Sequence, residues 1–260
     1  MRGIVISEQK LLERALNGEM KGMLKKEKPI KVLHVLTKYY FNEGLDEEVI
    51  KNKLIEFLEL NHEYYKPTKW DDTVLRIIRY HKNLKNDKKF DIYDITEVVI
   101  TNSEWNNIIK LKDKILERVA FIMLIYQKIT EKINPRSDGW INQSIDSIFK
   151  EAAVYKRGLD QCRVLHELYN MEYIEQPKAC YKTSFKINFV NKESDIKFKI
   201  NSFENVISYY YEYRNNEKYK RCEVCDIRFK VDKNNMKRKY CTTCSKKVNI
   251  EKTKKRNLKC

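Results

Sequence analysis

Cys222-Glu223-Val224-Cys225 and, after fifteen intervening residues, Cys241-Thr242-Thr243-Cys244 decide how the end of this chain folds. A C-x-x-C turn lets two thiolates converge on one ion while nearby backbone N–H groups donate to the sulfurs. Two such turns complete a tetrahedral four-cysteine site. With all four positions taken by sulfur and no histidine from Lys218 to Cys260, the site is closed, which makes its expected zinc ion structural. Between the pairs, Arg228-Phe229-Lys230-Val231 reads as one strand, Asp232-Lys233-Asn234-Asn235 as a turn and Lys237 to Tyr240 as a returning strand. Residues 218–250 are therefore expected to form a zinc ribbon. A redox reading is weaker, because a thioredoxin-like dithiol is a single C-x-x-C on a βαβ frame, which this pattern lacks.

Charge gathers around the same segment. The chain has 260 residues with 53 Lys and Arg against 37 Asp and Glu, a net +16. From Lys218 onward there are 16 cations and 4 acids, so that +12 of the excess lies in the last sixth of the sequence. Four thiolates around a divalent ion lower this to about +10, still strongly basic. Such an end is the electrostatic footprint of a polyanion binder, although basic ends also serve simply to keep a chain soluble. Arg228, Lys230, Lys237, Arg238, Lys239, Lys246 and Lys247 are the expected phosphate contacts, continued by a flexible basic tail over 251–260. Of the other cysteines, Cys162 and Cys180 read as buried thiols and Cys260 as a terminal thiol without a partner.

Upstream, the fold class is mainly α with small β elements. Residues 1–112 read as a helical bundle. Ser7 can cap a helix from Glu8 to Asn17, Pro29 sits in the first turn of one reaching Asn42, and Asp46-Glu47-Glu48 suits the start of a third. Pro67 is read as a breaker, with the next helix starting at Asp71 or Asp72. His34, His62 and His81 are read as ordinary core or surface histidines. Asp94 to Ile100 is β-branched and extended, and Ser103 with Glu104 opens a further helix.

Residues 113–217 carry the second informative pattern. Ile115, Val119, Ile122, Met123, Tyr126 and Ile129 give a buried helix ended by Asn134-Pro135. Trp140-Ile141-Asn142 follows as a short strand, Ser144 caps Ile145 to Val154, and a helix runs from Leu159 to Tyr169. Two extended stretches, Tyr181 to Val190 and Asp195 to Ile200, come next. Helix, strand, helix, helix and a two-stranded ribbon is the order of a winged helix-turn-helix. On that reading Lys156, Arg157, Gln161 and Arg163 lie on or just before the recognition helix, and the wing turns near Asn191 to Asp195. The tyrosines of Phe203 to Tyr213 sit at helical spacing, which favours core packing over a base-stacking platform.

The string from Arg221 to Cys225, with Lys239 to Lys247, resembles the C-terminal ribbon of uncharacterised proteins from low-GC Gram-positive bacteria, their phages and mobile elements. Trp140-Ile141-Asn142, Ile148-Phe149-Lys150 and Asn170 to Ile174 are similar to the winged-helix part of such chains. The resemblance covers about the second half and implies a fold; no activity comes with it.

These readings exclude some functions and rank others. With 6 Gly there is no G-x-G-x-x-G and no P-loop, which argues against nucleotide-cofactor enzymes. The longest apolar run, Val119 to Tyr126, falls far short of a membrane span, and Met1 to Ile6 lacks a signal-peptide core, so a cytoplasmic location is expected. The leading expectation is a non-catalytic nucleic-acid-binding protein, DNA favoured over RNA, regulatory or replication-associated. A protein-interaction adaptor of the same architecture is second. A metal-dependent nuclease using Asp195 and Lys197 is third, since no matching upstream carboxylate is evident.

Overall fold

The computed structural model describes residues 4–20, 29–84, 90–177, 184–232 and 235–257. The chain divides into two compact units, one spanning Val5–Ile95 and the other running from Thr96 to the C-terminus. Strand β1 (Val98–Thr101) and helix α5 (Asn102–Lys110), which precede residue 112, belong to the second unit.

In the first unit, four helices follow one another: α1 Glu8–Leu16, α2 Pro29–Asn42, α3 Glu47–Asn61 and α4 Pro67–Leu84. Ser7 caps α1 as its residue type suggests, its Oγ accepting from Lys10 N at 3.1 Å. The core is the inward stripe of α2 (Val32, Leu33, Val35, Leu36, Phe41) packed on Ile50, Leu54 and Leu58 of α3 and on Val74, Ile77 and Ile78 of α4. Helix α4 begins four or five residues earlier than expected. Pro67 is its first residue rather than a breaker, because a first-turn N–H has no intrahelical partner and the ring's fixed φ suits that position. Its extra turn buries Trp70. His81 is also buried, and its Nε2 lies 2.9 Å from His34 Nδ1.

The second unit is built around one buried helix. After β1 and α5 comes α6, Lys114–Ile133, capped by Asp113 Oδ1 on the N–H groups of Ile115 and Leu116. Phe121 through Tyr126 are fully buried, so this helix is apolar all round, as a core helix must be. Around it lie α7 (Ile145–Glu151), α8 (Leu159–Asn170), β2 (Ile174–Glu175), β3 (Lys186–Ile187), β4 (Ile196–Ile200) and α9 (Ile207–Asn215). The polar groups that α6 buries are all paired. Glu117 accepts from Tyr210 Oη at 2.6 Å and from Arg214 Nε at 2.8 Å, and Gln127 Oε1 accepts from Ile187 N at 2.6 Å. Glu104, buried on α5, forms a capping box with Thr101 and an ion pair of 2.7 Å with Lys128 of α6. The cap is thus Thr101 rather than Ser103.

Strand pairing departs from the sequence expectation. A hairpin turning at Asn191–Asp195 is absent: β3 pairs antiparallel with β2, and β4 pairs antiparallel with β1. The reason is local. Asn191 Oδ1 accepts from the N–H groups of Glu193 and Ser194, an Asx turn, while Asn191 N donates to the buried Glu104 carboxylate. Asn102 N then takes the Asp195 carbonyl at 2.8 Å and delivers the following strand to β1. The expected strand at Trp140-Ile141-Asn142 contracts to a bridge between Ile141 and Phe185. Tyr181 to Thr183, Cys180 and Cys260 lie outside the described residues.

Two of the α9 tyrosines pack inward, as the spacing suggested, while Tyr211 is half-buried and Tyr213 exposed. Tyr209 and Tyr210 are buried, and Phe198 stacks on Tyr213 with 3.9 Å between centroids. No helix among the described residues is long and apolar enough to cross a membrane.

Candidate metal centre and basic surface

The C-terminal segment opens with β5 (Tyr219–Arg221) and β6 (Arg228–Lys230), an antiparallel pair with Cys222 and Cys225 in the connecting turn. Asp226 completes that turn at φ +56°, a left-handed conformation that a short polar side chain tolerates. The second pair sits elsewhere than expected. The stretch from Lys237 to Tyr240 is irregular, and α10 (Thr242–Asn257) starts directly after Cys241, so Cys244 occupies its first turn. The site thus lies between a hairpin and the N-terminus of a helix instead of at the base of one two-stranded ribbon joining the cysteine pairs, and the expected flexible tail is helical through Asn257. Lys233 and Asn234 lie outside the described residues.

The four sulfurs lie within 4.8 Å of one another, and Cys225 Sγ to Cys241 Sγ is 3.7 Å. A tetrahedral ion about 2.3 Å from each sulfur sets neighbouring sulfurs about 3.8 Å apart, so the cluster fits a metal ion. Cys222, Cys241 and Cys244 are buried. Cys222 Sγ accepts from Cys241 N at 3.3 Å, and Cys241 Sγ from Cys244 N at 3.5 Å. Burial pushes the Cys222 thiol up, but backbone N–H groups of Cys241, Val224 and Cys225 outweigh it and bring it down to about 6. Hydrogen bonding to Cys225, together with burial, raises Cys244 to about 12. As four thiolates these sulfurs would repel one another at this spacing, and a divalent ion among them would supply the opposing charge. Among the described residues this is the only group of three or more metal-ligating side chains; Asp195 has no such company.

The candidate contact residues divide sharply. Lys237, Lys246 and Lys247 are exposed, as are Lys252 and Lys254 further along α10. Lys230 pairs with Glu217 at 3.2 Å and Lys239 with Glu223 at 3.3 Å, both lysines remaining more than half exposed. Arg238 is turned inward, its Nε donating to the Tyr240 carbonyl and its Nη2 to Thr242 Oγ1. Arg228 is an internal anchor: its guanidinium lies 3.8 Å over the Tyr209 ring, donates to Ser208 Oγ and pairs with Glu212. It fixes the hairpin to α9 and has little left to offer a phosphate.

Before and along α8, Arg157 and Arg163 are exposed and Lys156 is half-buried. Gln161 is buried, contrary to expectation, donating to Asp146 Oδ1 at 3.1 Å and the Lys156 carbonyl at 2.9 Å, which ties α8 to α7. Its place was legible, since Gln161, Val164, Leu165 and Leu168 follow the i, i+3, i+4, i+7 rule of one buried face. Cys162, expected inside, is exposed. What the charge count missed is the apolar surface here: Tyr155 is 94% and Leu159 77% exposed, with Tyr169 and Met171 close to half. Comparisons with protein-family models, with curated proteins and with solved structures found no match.

Proposed function

We propose that this chain is a non-catalytic, zinc-holding nucleic-acid-binding protein, with DNA favoured over RNA. One observation carries the reading: the cysteine cluster seats the N-terminus of α10, a helix whose exposed Lys246, Lys247, Lys252 and Lys254 face a single acid, Glu251. Zinc is the ion of choice for four thiolates in a closed tetrahedron. The middle region is a winged helix on this proposal. The order α6, Ile141, α7, α8, β2, β3, with Ile141 bridging Phe185 beside the β2–β3 pair, supports it. A regulatory or replication-associated role, as in a phage or mobile element, and a cytoplasmic location are part of this proposal. Lys230, Lys237, Lys239, Arg157 and Arg163 are its secondary contacts.

The test is binding of the full zinc-loaded chain to labelled duplex DNA, single-stranded DNA and RNA across a salt series. Affinity should fall linearly in log salt with a steep slope, tightest for duplex DNA. No binding to any of the three at low salt overturns the reading. A second reading, a protein-binding adaptor, is favoured by the surface of α8. Tyr155, Leu159, Tyr169 and Met171, on and beside α8, are exposed, and exposed apolar side chains suit a protein better than phosphate.

A further inference from the structure

The disposition of side chains on α10 goes beyond net charge. At 3.6 residues per turn, Lys246, Asn249, Ile250 and Thr253 follow the i, i+3, i+4, i+7 rule and form one stripe. All four are exposed, Ile250 at 57%. The opposite side holds Cys244, buried in the cluster, and half-buried Val248. Lys247 and Lys254 flank the stripe on one side and Lys252 on the other, each roughly a quarter turn or slightly more from its centre at about 100° per residue. Glu251, the acid of the helix, falls at the back, near the cysteine side.

Lys246 puts one cation on the outward face, at the end nearer the metal site, and beyond it the stripe is uncharged through Asn249, Ile250 and Thr253. Cations on both flanks of that uncharged stretch match two phosphate rows with base edges between them. A helix with side chains is about 10–12 Å across, and the major groove of B-DNA is about 12 Å wide. The residue types on the stripe match the groove floor as well. An asparagine amide can donate to adenine N7 and accept from its N6 amino group, an apolar side chain meets the thymine methyl, and a lysine reaches guanine O6 and N7.

We propose that α10 is the base-reading helix of this protein. It enters the major groove of duplex DNA with Asn249 and Ile250 over A·T pairs, Lys246 over a base edge at the end nearer the metal, and Lys247, Lys252 and Lys254 on the flanking phosphates. This rests on the nucleic-acid reading above and deepens it, since it moves sequence reading from α8 to α10. The metal centre then acts as a positioning device, holding the first turn of the reading helix.

The experiment is a selection from a randomised duplex pool with the full zinc-loaded chain, followed by binding of the enriched and of a scrambled duplex to wild type, Asn249→Ala and Ile250→Ala. Both changes lie on the exposed stripe, and zinc content and helical circular dichroism verify that each variant is folded. Wild type should enrich a core containing A·T pairs. Asn249→Ala should bind the enriched duplex about ten-fold more weakly and the scrambled one unchanged. Replacing core thymine by uracil, which removes only the methyl group, should weaken wild type several-fold and leave Ile250→Ala unaffected. If wild type binds duplex with a steep salt slope, yet discrimination is absent or survives in Asn249→Ala, the α10 assignment is overturned while DNA binding stands. If no duplex binds at low salt, both are overturned.

Discussion

Removing one metal ligand, as in Cys241→Ser, should unfold the cysteine module and leave the α6 core in place. The magnitude follows from how little else holds the module together. Its buried cluster consists of Cys222, Cys241 and Cys244, with Cys225, Phe229 and Tyr240 partly buried against it, and Val231 is the other buried apolar side chain among the module's described residues. Two half-buried rings contribute a few kcal/mol at roughly 25 cal/mol per Å². That is far below the entropy of ordering some tens of residues at about 1–2 kcal/mol each. A structural zinc ion supplies about 10–16 kcal/mol in small finger modules, so the metal, far more than packing, keeps such a module folded. Losing even about 4 kcal/mol of it accelerates amide exchange about a thousand-fold. Hydrogen exchange read by mass spectrometry on the full chain should therefore show peptides spanning Cys222–Ile227 and Cys241–Asn257 losing protection in Cys241→Ser, and in wild type treated with a chelator. Peptides of α6 should not change. The stretch around Arg228 should retain part of its protection, because Glu212, Ser208 and Tyr209 still grip that side chain. Undiminished protection of the two cysteine segments in metal-free protein would refute the reasoning.

Three further outcomes follow from the described geometry. Lys247→Ala with Lys252→Ala should reduce the slope of log affinity against log salt by about 2 on duplex DNA, each lysine neutralising one phosphate; an unchanged slope removes α10 from the interface. Glu117→Ala leaves the buried Tyr210 hydroxyl unpaired and Arg214 without its carboxylate, so urea denaturation of the full chain should show the Thr96–Cys260 unit destabilised by about 2–4 kcal/mol, with Glu117→Gln less affected. In the first unit, burial holds both histidines low, His81 at about 4 with His34 and Lys38 adding to the effect. A folded pKa below the unfolded 6.5 means that the unfolded chain binds more protons in between. Stability of Val5–Ile95 should thus be full above about pH 6.5 and decline by up to about 3 kcal/mol toward pH 4, partly offset by Glu8, whose pKa burial raises. Thermal melts that stay flat over that range, or a His81→Phe variant with the same decline, would contradict it.

What was legible in the sequence was whatever is encoded locally. Ser7 and Ser144 cap their helices because an N-cap is a contact between residues two or three apart. The convergence of the four cysteines was equally readable, since C-x-x-C fixes its own turn. Pairing partners were not. β1 and β4 lie nearly a hundred residues apart, and nothing in Asp195 to Ile200 says which strand it will meet; the answer lies in Asn191 and Glu104, whose hydrogen bonds redirect the chain. Arg228 could not be told from its basic neighbours, because its engagement depends on α9 lying beneath it. For α10 the density of charge masks the helix propensity of a run rich in lysine, whose first turn is set by the packing of Cys241 and Cys244 in the cysteine cluster.

The grip of α9 on Arg228 also sets how the module is carried. Glu117 of α6 holds Tyr210 and Arg214 on one side of α9, while Ser208, Tyr209 and Glu212 hold Arg228 on the other. A domain on a floppy leash samples its ligand at a statistical range of distances. Here the chain of contacts acts as a strut from the central helix to the hairpin, so the spacing and phase between the α8 surface and the metal module belong to the fold. A ligand engaging both meets a fixed gauge, and changing that gauge requires the strut to break.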